Sequence, residues 1–163
     1  MFGFPASARS LRFALAIVAA LAASACAKSG DELGAGGSAA PGSPGDFLVS
    51  AGDRVFFETD SSELTSTAQA TLNKQASWLT RYANYSFTIE GHADERGTRE
   101  YNFALGARRS QATRDYLASK GISTSRMRTV SYGKERPVAT CDDISCWSQN
   151  RRAVTVLGGG AGS

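Results

Sequence analysis

Hydrophobic and polar residues recur with regular spacing through residues 54–157. Tyr85, Phe87 and Ile89 alternate with polar residues, which is the period-2 pattern of a half-buried strand. Residues 65–82 carry apolar side chains three and four positions apart, which predicts an amphipathic helix with Ala68, Leu72, Ala76 and Leu79 on one face. Extended along the chain, these patterns predict strand 54–57, helix 65–82, strand 85–90, helix 99–119, strand 127–132, a short helix at 145–150 and strand 153–157.

The predicted order is β-α-β-α-β-(α)-β. This order indicates the α/β class and a two-layer domain, in which helices pack against a mixed four-stranded sheet. The first and second strands, and the second and third, are expected to be parallel through right-handed crossovers, unless the final strands run in mixed directions. Leu105, Ala112 and Tyr116 are predicted to share one side of helix 99–119, and Lys120 and Gly121 are predicted to end it.

The N-terminal residues have the pattern of a secretory signal. Arg9 and Arg12 precede residues 13–23, an apolar run of 11 residues. That run is shorter than the roughly 20 residues needed to cross a hydrocarbon core. Residues 1–25 are therefore predicted to be a signal peptide that is removed before Cys26.

The residues around the predicted cleavage site resemble the lipobox of bacterial lipoproteins, in which the cysteine is acylated. The match departs at Ala23, where lipoproteins prefer leucine. Acylation of Cys26 gives the multi-chain anchor that stable membrane attachment requires. Ala27 favours the outer membrane, because it is not the aspartate that commonly retains lipoproteins in the inner membrane. The alternative is a soluble secreted protein with a free Cys26.

Residues 27–46 lack periodicity and are rich in glycine, alanine, serine and proline, which predicts a flexible tether. The predicted organisation is therefore a signal peptide at 1–25, a lipidated cysteine and tether at 26–51, a folded domain at 52–158 and a disordered tail at 159–163.

The chain has three cysteines, so acylation of Cys26 leaves Cys141 and Cys146 as a pair. An oxidising periplasm favours a disulfide between them. A metal site is the alternative, but no second ligand pair is present and the single histidine, His92, is distant in sequence. The disulfide is the preferred interpretation.

The net charge argues against a nucleic-acid partner. The formal charge is +3, and two of the cations lie in the predicted signal peptide. The mature protein is therefore close to neutral, and its basic pairs lack the interleaved aromatic residues of a nucleic-acid platform.

The densest polar cluster, residues 91–100, follows the second predicted strand. Ligand sites favour the carboxyl ends of strands in α/β folds. Its opposite charges suit a zwitterion, and the alternative is a solvated loop with internal ion pairs. Enzyme classes are disfavoured, because one histidine excludes multi-histidine metal sites and neither a GxSxG elbow nor a Walker loop is present. His92 is interpreted as structural.

The stretch IEGHADERGTREYNFALGARRSQATRDYL, residues 89–117, resembles the OmpA-like peptidoglycan-binding domain. VFFETDSSELT, VSYGKERP and WSQNRRAVTV support the resemblance, which covers residues 55–157. It is closest to the lipoprotein members that work with TolB in the Tol system. The resemblance implies a wall-binding protein without cofactor or metal, tethering the outer membrane to peptidoglycan during growth and division. The alternative is another OmpA-like lipoprotein that anchors a secretion or motor complex.

The resemblance also implies a ligand, the stem peptide of peptidoglycan that contains meso-diaminopimelate. Asp94 is expected to bind its side-chain ammonium and Arg109 its side-chain carboxylate. Thr59 replaces an aromatic residue that is common in the family, which reduces one apolar wall of the pocket. The remaining expected peptidoglycan-binding residues are three at contact positions (Asp60, Arg96 and Leu105) and two that brace the pocket (Asn150 and Arg151).

Overall fold

A mixed four-stranded sheet with helices packed on it forms the domain in the computed structural model, which describes residues 39–158. The predicted signal peptide, Cys26, most of the predicted tether and residues 159–163 lie outside the described residues. The elements are α1 (Pro44–Ser50), β1 (Arg54–Phe56), α2 (Ser66–Arg81), β2 (Phe87–His92), α3 (Arg99–Ser119), a 3₁₀ turn (Thr124–Arg126), β3 (Met127–Gly133), α4 (Ile144–Asn150) and β4 (Arg152–Leu157).

The strand order is β1-β4-β2-β3. β2 and β3 are parallel, whereas β4 is antiparallel to both β1 and β2. The predicted fold class is confirmed, including the mixed sheet. β1 and β2 both run antiparallel to β4, so the predicted parallel direction of β1 and β2 is confirmed, as is that of β2 and β3; β1 and β2 are not neighbours, because β4 lies between them. Local alternation of side chains identifies a strand but not its neighbours.

Local signals account for the ends of the two long helices. The hydroxyl of Thr65 accepts a hydrogen bond from the N–H of Ala68, and Thr98 caps α3 in the same way at Tyr101. Gly121 follows α3 with a φ of +91°, the left-handed conformation that glycine adopts without strain.

The helix faces differ in how well the hydrophobic pattern predicts them. Ala68, Leu72, Ala76 and Leu79 of α2 are all buried, as predicted. In α3, Leu105 is buried, but Ala112 and Tyr116 are only half-buried while Thr113 and Leu117 are buried. The predicted face of α3 therefore differs from the face that is buried. The buried face includes polar residues, which a hydrophobic pattern does not detect.

The domain begins earlier than predicted. Residues 44–50, assigned to the flexible tether, form α1, and Phe47 is 1% exposed. Its ring lies 5.0 Å from that of Trp78, whose indole N–H donates a 2.8 Å hydrogen bond to Asp46. The predicted boundary at residue 51 is therefore wrong. The single aromatic anchor of α1 lies beside a stretch rich in glycine and proline, which obscured the helix. Within residues 39–158, no helix has the length and apolarity needed to span a membrane.

Candidate functional site

Four segments meet beyond the carboxyl end of β2. They are the turn after β1, the residues after β2, the middle of α3 and the junction of α4 with β4. They carry Asp94, which follows β2, Arg109 on α3 and Arg151 at the junction, all of which are buried. The structure thus brings together residues that are separated by up to 57 positions in sequence.

Asp94 is the buried anion of this site and is 7% exposed. The Arg96 guanidinium binds both of its oxygens, with Nη2 at 2.7 Å from Oδ2 and Nε at 3.1 Å from Oδ1. Nη1 of Arg151 lies 3.4 Å from Oδ2. Burial alone raises the pKa of Asp94, but these hydrogen bonds outweigh it and hold the pKa below its ordinary value. Asp94 is therefore ionised at neutral pH.

Arg109 is fully buried. Its guanidinium donates to three backbone carbonyls, those of Ser61 at 2.8 Å, His92 at 2.9 Å and Glu58 at 3.1 Å. Burial lowers its pKa to about 10, although the negative charge of Asp94 opposes that change. Arg109 thus remains a cation at neutral pH and joins α3 to β2 and to the turn after β1.

Arg151 holds the same turn from the other side. Its Nε donates to the carbonyl of Phe57 at 3.0 Å, and the N–H of Phe57 donates to the Arg151 carbonyl at 2.9 Å. Arg151 is 5% exposed, so two buried guanidinium groups, those of Arg109 and Arg151, interact electrostatically with Asp94, the only buried carboxylate within residues 39–158. An additional carboxylate would balance this local charge.

The turn of residues 58–61 covers Arg109. The side chains of Glu58, Thr59 and Asp60 are exposed, whereas the carbonyls of Glu58 and Ser61 point inward to Arg109. Asp60 has a φ of +56°, a left-handed conformation that costs energy for a residue other than glycine. Thr59 and Asp60 therefore lie on the solvent side of the site.

Two of the expected site residues are placed as supports. Leu105 is 4% exposed on the buried face of α3. Asn150 is fully buried, and its side-chain amide bonds with the backbone of Val138 and Ala139. Asn150 thus fixes the loop before α4, and within residues 39–158 its side chain forms no hydrogen bond with Asp94 or Arg109.

The sequence analysis missed Trp147 and Glu95. The Arg96 guanidinium stacks over the Trp147 ring at 4.1 Å, and the indole N–H of Trp147 donates to Glu95. Trp147 follows Cys146, which forms a disulfide with Cys141, with a Cα–Cα distance of 5.6 Å. The position of Trp147 three residues before the Asn150 and Arg151 predicted for the site was the available signal, but only the fold shows that α4 reaches Arg96.

His92 is buried behind the site. It is 2% exposed, and neither ring nitrogen has a hydrogen-bond partner among the described residues. Burial, together with the nearby charges of Arg152, Arg136 and Arg54, lowers its pKa to about 4. The imidazole is therefore neutral in the folded protein at neutral pH, in agreement with its interpretation as a structural residue.

This histidine predicts an acid-dependent loss of stability. The unfolded chain binds a proton near pH 6.5, whereas the folded chain binds it only near pH 4. The stabilisation that comes from the neutral His92 is therefore fully present above about pH 6.5. The free energy of unfolding falls by about 2–3 kcal/mol as the pH drops from there to about 4. Urea unfolding at several pH values measures this slope. His92→Phe should flatten it between these two values, and an unchanged slope in that variant would assign the effect to other groups.

The chain matches the OmpA family over residues 56–151. The chain belongs to the OmpA family. It is 65% identical over 153 residues to a peptidoglycan-associated lipoprotein of Agrobacterium fabrum, covering 89% of this chain and 86% of the relative. It is 64% identical over 156 residues to that of Rhizobium meliloti, covering 91% and 88%.

Solved structures share this fold. The peptidoglycan-associated lipoprotein from Burkholderia pseudomallei has a TM-score of 0.63 and 42% identity, covering 65% of this chain and 90% of that one. The C-terminal domain of Helicobacter pylori MotB has a TM-score of 0.62 at 19% identity, which shows a shared fold alone. The resemblance to the lipoprotein members of the OmpA family is thereby confirmed.

Proposed function

We propose that this chain is an outer-membrane lipoprotein that binds the meso-diaminopimelate stem peptide of peptidoglycan without covalent chemistry. It tethers the outer membrane to the wall as part of the Tol–Pal system, with TolB as a second partner on an overlapping surface. In that role it supports envelope integrity and outer-membrane constriction during division. The names of the similar lipoproteins support association with peptidoglycan. The wall ligand itself is inferred from the family resemblance, and the charges of the site support it.

The observation that carries the proposal is the arrangement of buried charge. The side-chain end of meso-diaminopimelate has an ammonium and a carboxylate on one carbon. Asp94 is an ionised acceptor for the ammonium, and the surplus cationic charge of Arg109 and Arg151 favours the carboxylate. Each charge-assisted hydrogen bond to the ligand contributes about 1.5–3 kcal/mol.

Access to the two charges differs. The carboxylate of Asp94 already accepts hydrogen bonds from Arg96, whose side chain is 40% exposed. The ligand ammonium therefore has to share this carboxylate with Arg96 or displace Arg96 from it. Arg109 is fully buried beneath the turn of residues 58–61, and three of its five N–H donors are bonded to carbonyls, so the carboxylate reaches the remaining two only if this turn moves. A ligand that must displace existing bonds binds with modest affinity. Attachment in a membrane plane compensates by raising the effective concentration.

Co-sedimentation with purified sacculi tests this function. The full chain should show saturable binding to sacculi that contain meso-diaminopimelate. It should bind lysine-type sacculi at least about tenfold more weakly, because the lysine side chain lacks the carboxylate of diaminopimelate. A soluble diaminopimelate-containing muropeptide should compete. Equal binding to both wall types would contradict the ligand assignment. Soluble wall fragments released during incubation would indicate an enzyme instead.

The anchor is tested separately through Cys26. In cells, Cys26→Ser should move the protein from the membrane fraction to the soluble periplasmic fraction, because the acylated sulfur is lost. Labelling with a clickable fatty acid should disappear with it. Cys141→Ser, which breaks the disulfide with Cys146 but leaves Cys26 intact, is the control and should remain labelled and membrane-bound. Membrane retention and labelling of Cys26→Ser would disprove acylation at this residue.

A further inference from the structure

One end of the sheet, which we call the basal end, carries the ends of five elements. β2 begins there at Phe87, and its parallel neighbour β3 begins at Met127. β4 ends there at Leu157, which lies opposite Phe87. α2 and α3 each connect two strands that run in the same direction, so both helices return along the sheet and end there, at Arg81 and Ser119. The basal end is therefore opposite the end of the sheet that carries the proposed wall-binding site.

Exposed basic side chains lie at the basal end. Arg81 is the last residue of α2, Lys120 directly follows α3, and Arg128 is the second residue of β3. All three are exposed, and none of them forms a salt bridge within residues 39–158. The Lys120 ammonium lies 5.0 Å from the centre of the Tyr116 ring, a contact that leaves its positive charge in place.

Arg126 joins the two sides of the basal end. Its guanidinium donates hydrogen bonds to the carbonyls of Tyr85 at 2.8 Å, Leu79 at 3.0 Å and Tyr82 at 3.2 Å. These carbonyls belong to the end of α2 and the residues that follow it, whereas Arg126 directly precedes β3. The end of α2 is thus held beside the start of β3, and the cations at these two places lie at one end of the domain.

Acidic residues are sparse around these cations. Residues 64–89 and 116–134 contain neither aspartate nor glutamate. The two carboxylates in the adjoining segments, those of Asp46 and Asp115, accept hydrogen bonds from other groups of the domain. Most of the acidic residues between 39 and 158 lie instead at the opposite end, in residues 58–63, 94–100 and 135–143. The positive charge of the basal end is therefore not balanced locally.

The N-terminal segment leaves the domain at the basal end. The hydroxyl of Tyr85 donates a 2.8 Å hydrogen bond to the carbonyl of Gly42, which fixes the chain beside the turn between α2 and β2. Cys26 and Ala39 are 13 residues apart, a distance that a chain spans with at most about 45 Å. An anchor at Cys26 therefore keeps the basal end close to the membrane.

We propose that the basal end docks on an anionic phospholipid surface through Arg81, Lys120 and Arg128. Each lysine or arginine near such a surface strengthens binding by about fivefold. The attraction acts within about 8–10 Å at physiological ionic strength. The proposal rests on the membrane anchor of the proposed function only for bringing this end near the membrane, since the attraction of cations to anionic lipid needs no anchor.

Two observations select a lipid surface as the partner. The three cations come from three separate elements, so each can contact a different headgroup of a broad anionic surface. The short chain to Cys26 also holds them near such a surface. The acidic loops at the opposite end are repelled by the same lipids, and the domain is thereby oriented with Asp94 facing away from the membrane.

Vesicle co-sedimentation tests the docking without the anchor. The predicted mature chain, residues 26–163 with Cys26→Ser, has no acyl chains to hold it on a membrane. At low ionic strength it should bind vesicles of phosphatidylglycerol and phosphatidylcholine, and binding should fall steeply as salt is added, because salt screens the charges. It should not bind vesicles of phosphatidylcholine alone. Absence of binding to the anionic vesicles, or equal binding to both kinds, would overturn the proposal.

Charge reversal identifies the residues. Arg81→Glu, Lys120→Glu and Arg128→Glu should each lower the partition coefficient onto anionic vesicles at least about fivefold. Arg108→Glu is the matched control, because Arg108 is also exposed but lies 11 residues before the end of α3, or about 16 Å away along the helix. Its partition coefficient should change by less than about twofold. An equal loss in Arg108→Glu would assign the attraction to net charge alone and exclude docking at the basal end.

Energy transfer tests the orientation of the acylated full chain in vesicles. A dye on Ser125→Cys, in the 3₁₀ turn at the basal end, should transfer more energy to acceptor-labelled headgroups in anionic vesicles than in neutral ones. A dye on Glu63→Cys, in the turn after β1, should show the opposite change. Equal transfer from Ser125→Cys in both kinds of vesicle would contradict the docking. Failure of the chain to insert would count against the anchor alone, and the co-sedimentation result would then decide the docking.

Discussion

Asp94→Asn is expected to weaken binding to meso-diaminopimelate sacculi by about 10- to 100-fold. The amide keeps the shape of the side chain but removes the negative charge that an ammonium requires. It also leaves Arg109 and Arg151 without their buried anion, so a cationic ligand group meets net repulsion. Loss of one charge-assisted hydrogen bond costs about 1.5–3 kcal/mol of binding free energy, which raises the dissociation constant by about 10- to 100-fold. Co-sedimentation over a range of sacculus concentrations measures it.

Fold integrity must be measured alongside binding. Asp94 has a pKa below its ordinary value, so the folded protein is stabilised by its charge, and the substitution should also lower the melting temperature. Asp115→Asn is the matched control, because Asp115 is exposed on the same helix as Arg109 and bonds only with Gln111 among the described residues. It should bind like the wild type. Wild-type binding by a folded Asp94→Asn variant would remove Asp94 from the site.

Arg109→Ala is a poorer test of binding. The substitution leaves the carbonyls of Glu58, Ser61 and His92 without the donor that now satisfies them in a buried environment. Each such loss costs about 1–3 kcal/mol, so unfolding would obscure any effect on the ligand. The structure therefore assigns Arg109 a structural role in addition to its proposed contact with the carboxylate.

Gly91→Ala is expected to prevent folding of the domain. Gly91 lies in β2 where α3 crosses it at Gly106, and an added Cβ would lie 2.7 Å from the Gly106 carbonyl carbon and closer still to its oxygen. Both obstacles are backbone atoms, so no side chain can rotate away. Separating α3 from the sheet costs more than about 4 kcal/mol, a large part of the stability of a typical domain. Circular dichroism during thermal unfolding measures the loss.

Gly121→Ala separates this clash from the general cost of replacing a glycine. Gly121 has a φ of +91°, but an added Cβ meets no atom within 4 Å. Its cost should be only the left-handed strain of about 1–2 kcal/mol. A melting temperature of Gly91→Ala that is no lower than that of Gly121→Ala would contradict the close contact between the backbones of β2 and α3 at Gly91.

The sequence predicted where in the chain much of the site lies, but it did not predict how its side chains are arranged in space. Asp94 was expected beyond a strand end, and it lies there because β2 ends at His92. Its convergence with Arg109 came from family resemblance alone, since the residue types equally suited a solvated loop. Arg96 does form an internal ion pair with Asp94, so that alternative describes part of the site correctly.

Other features had no usable local signal. Arginine is usually exposed, so composition did not predict that Arg109 is fully buried. Its burial depends on three carbonyls from two distant segments, which become acceptors only when the domain is folded. The stacking of Arg96 on Trp147 likewise depends on α4 packing across the site.

The sequence by itself determined the position and type of the main elements and the cluster of charge after β2. The bounds of α3, residues 99–119, agree with the structure because Thr98 and Gly121 act on the adjacent backbone. Tertiary structure alone decided that β4 lies between β1 and β2, that α1 belongs to the domain and that Arg109 is buried. Strand neighbours and buried charges depend on contacts between distant segments, whereas periodicity and capping act within a few residues.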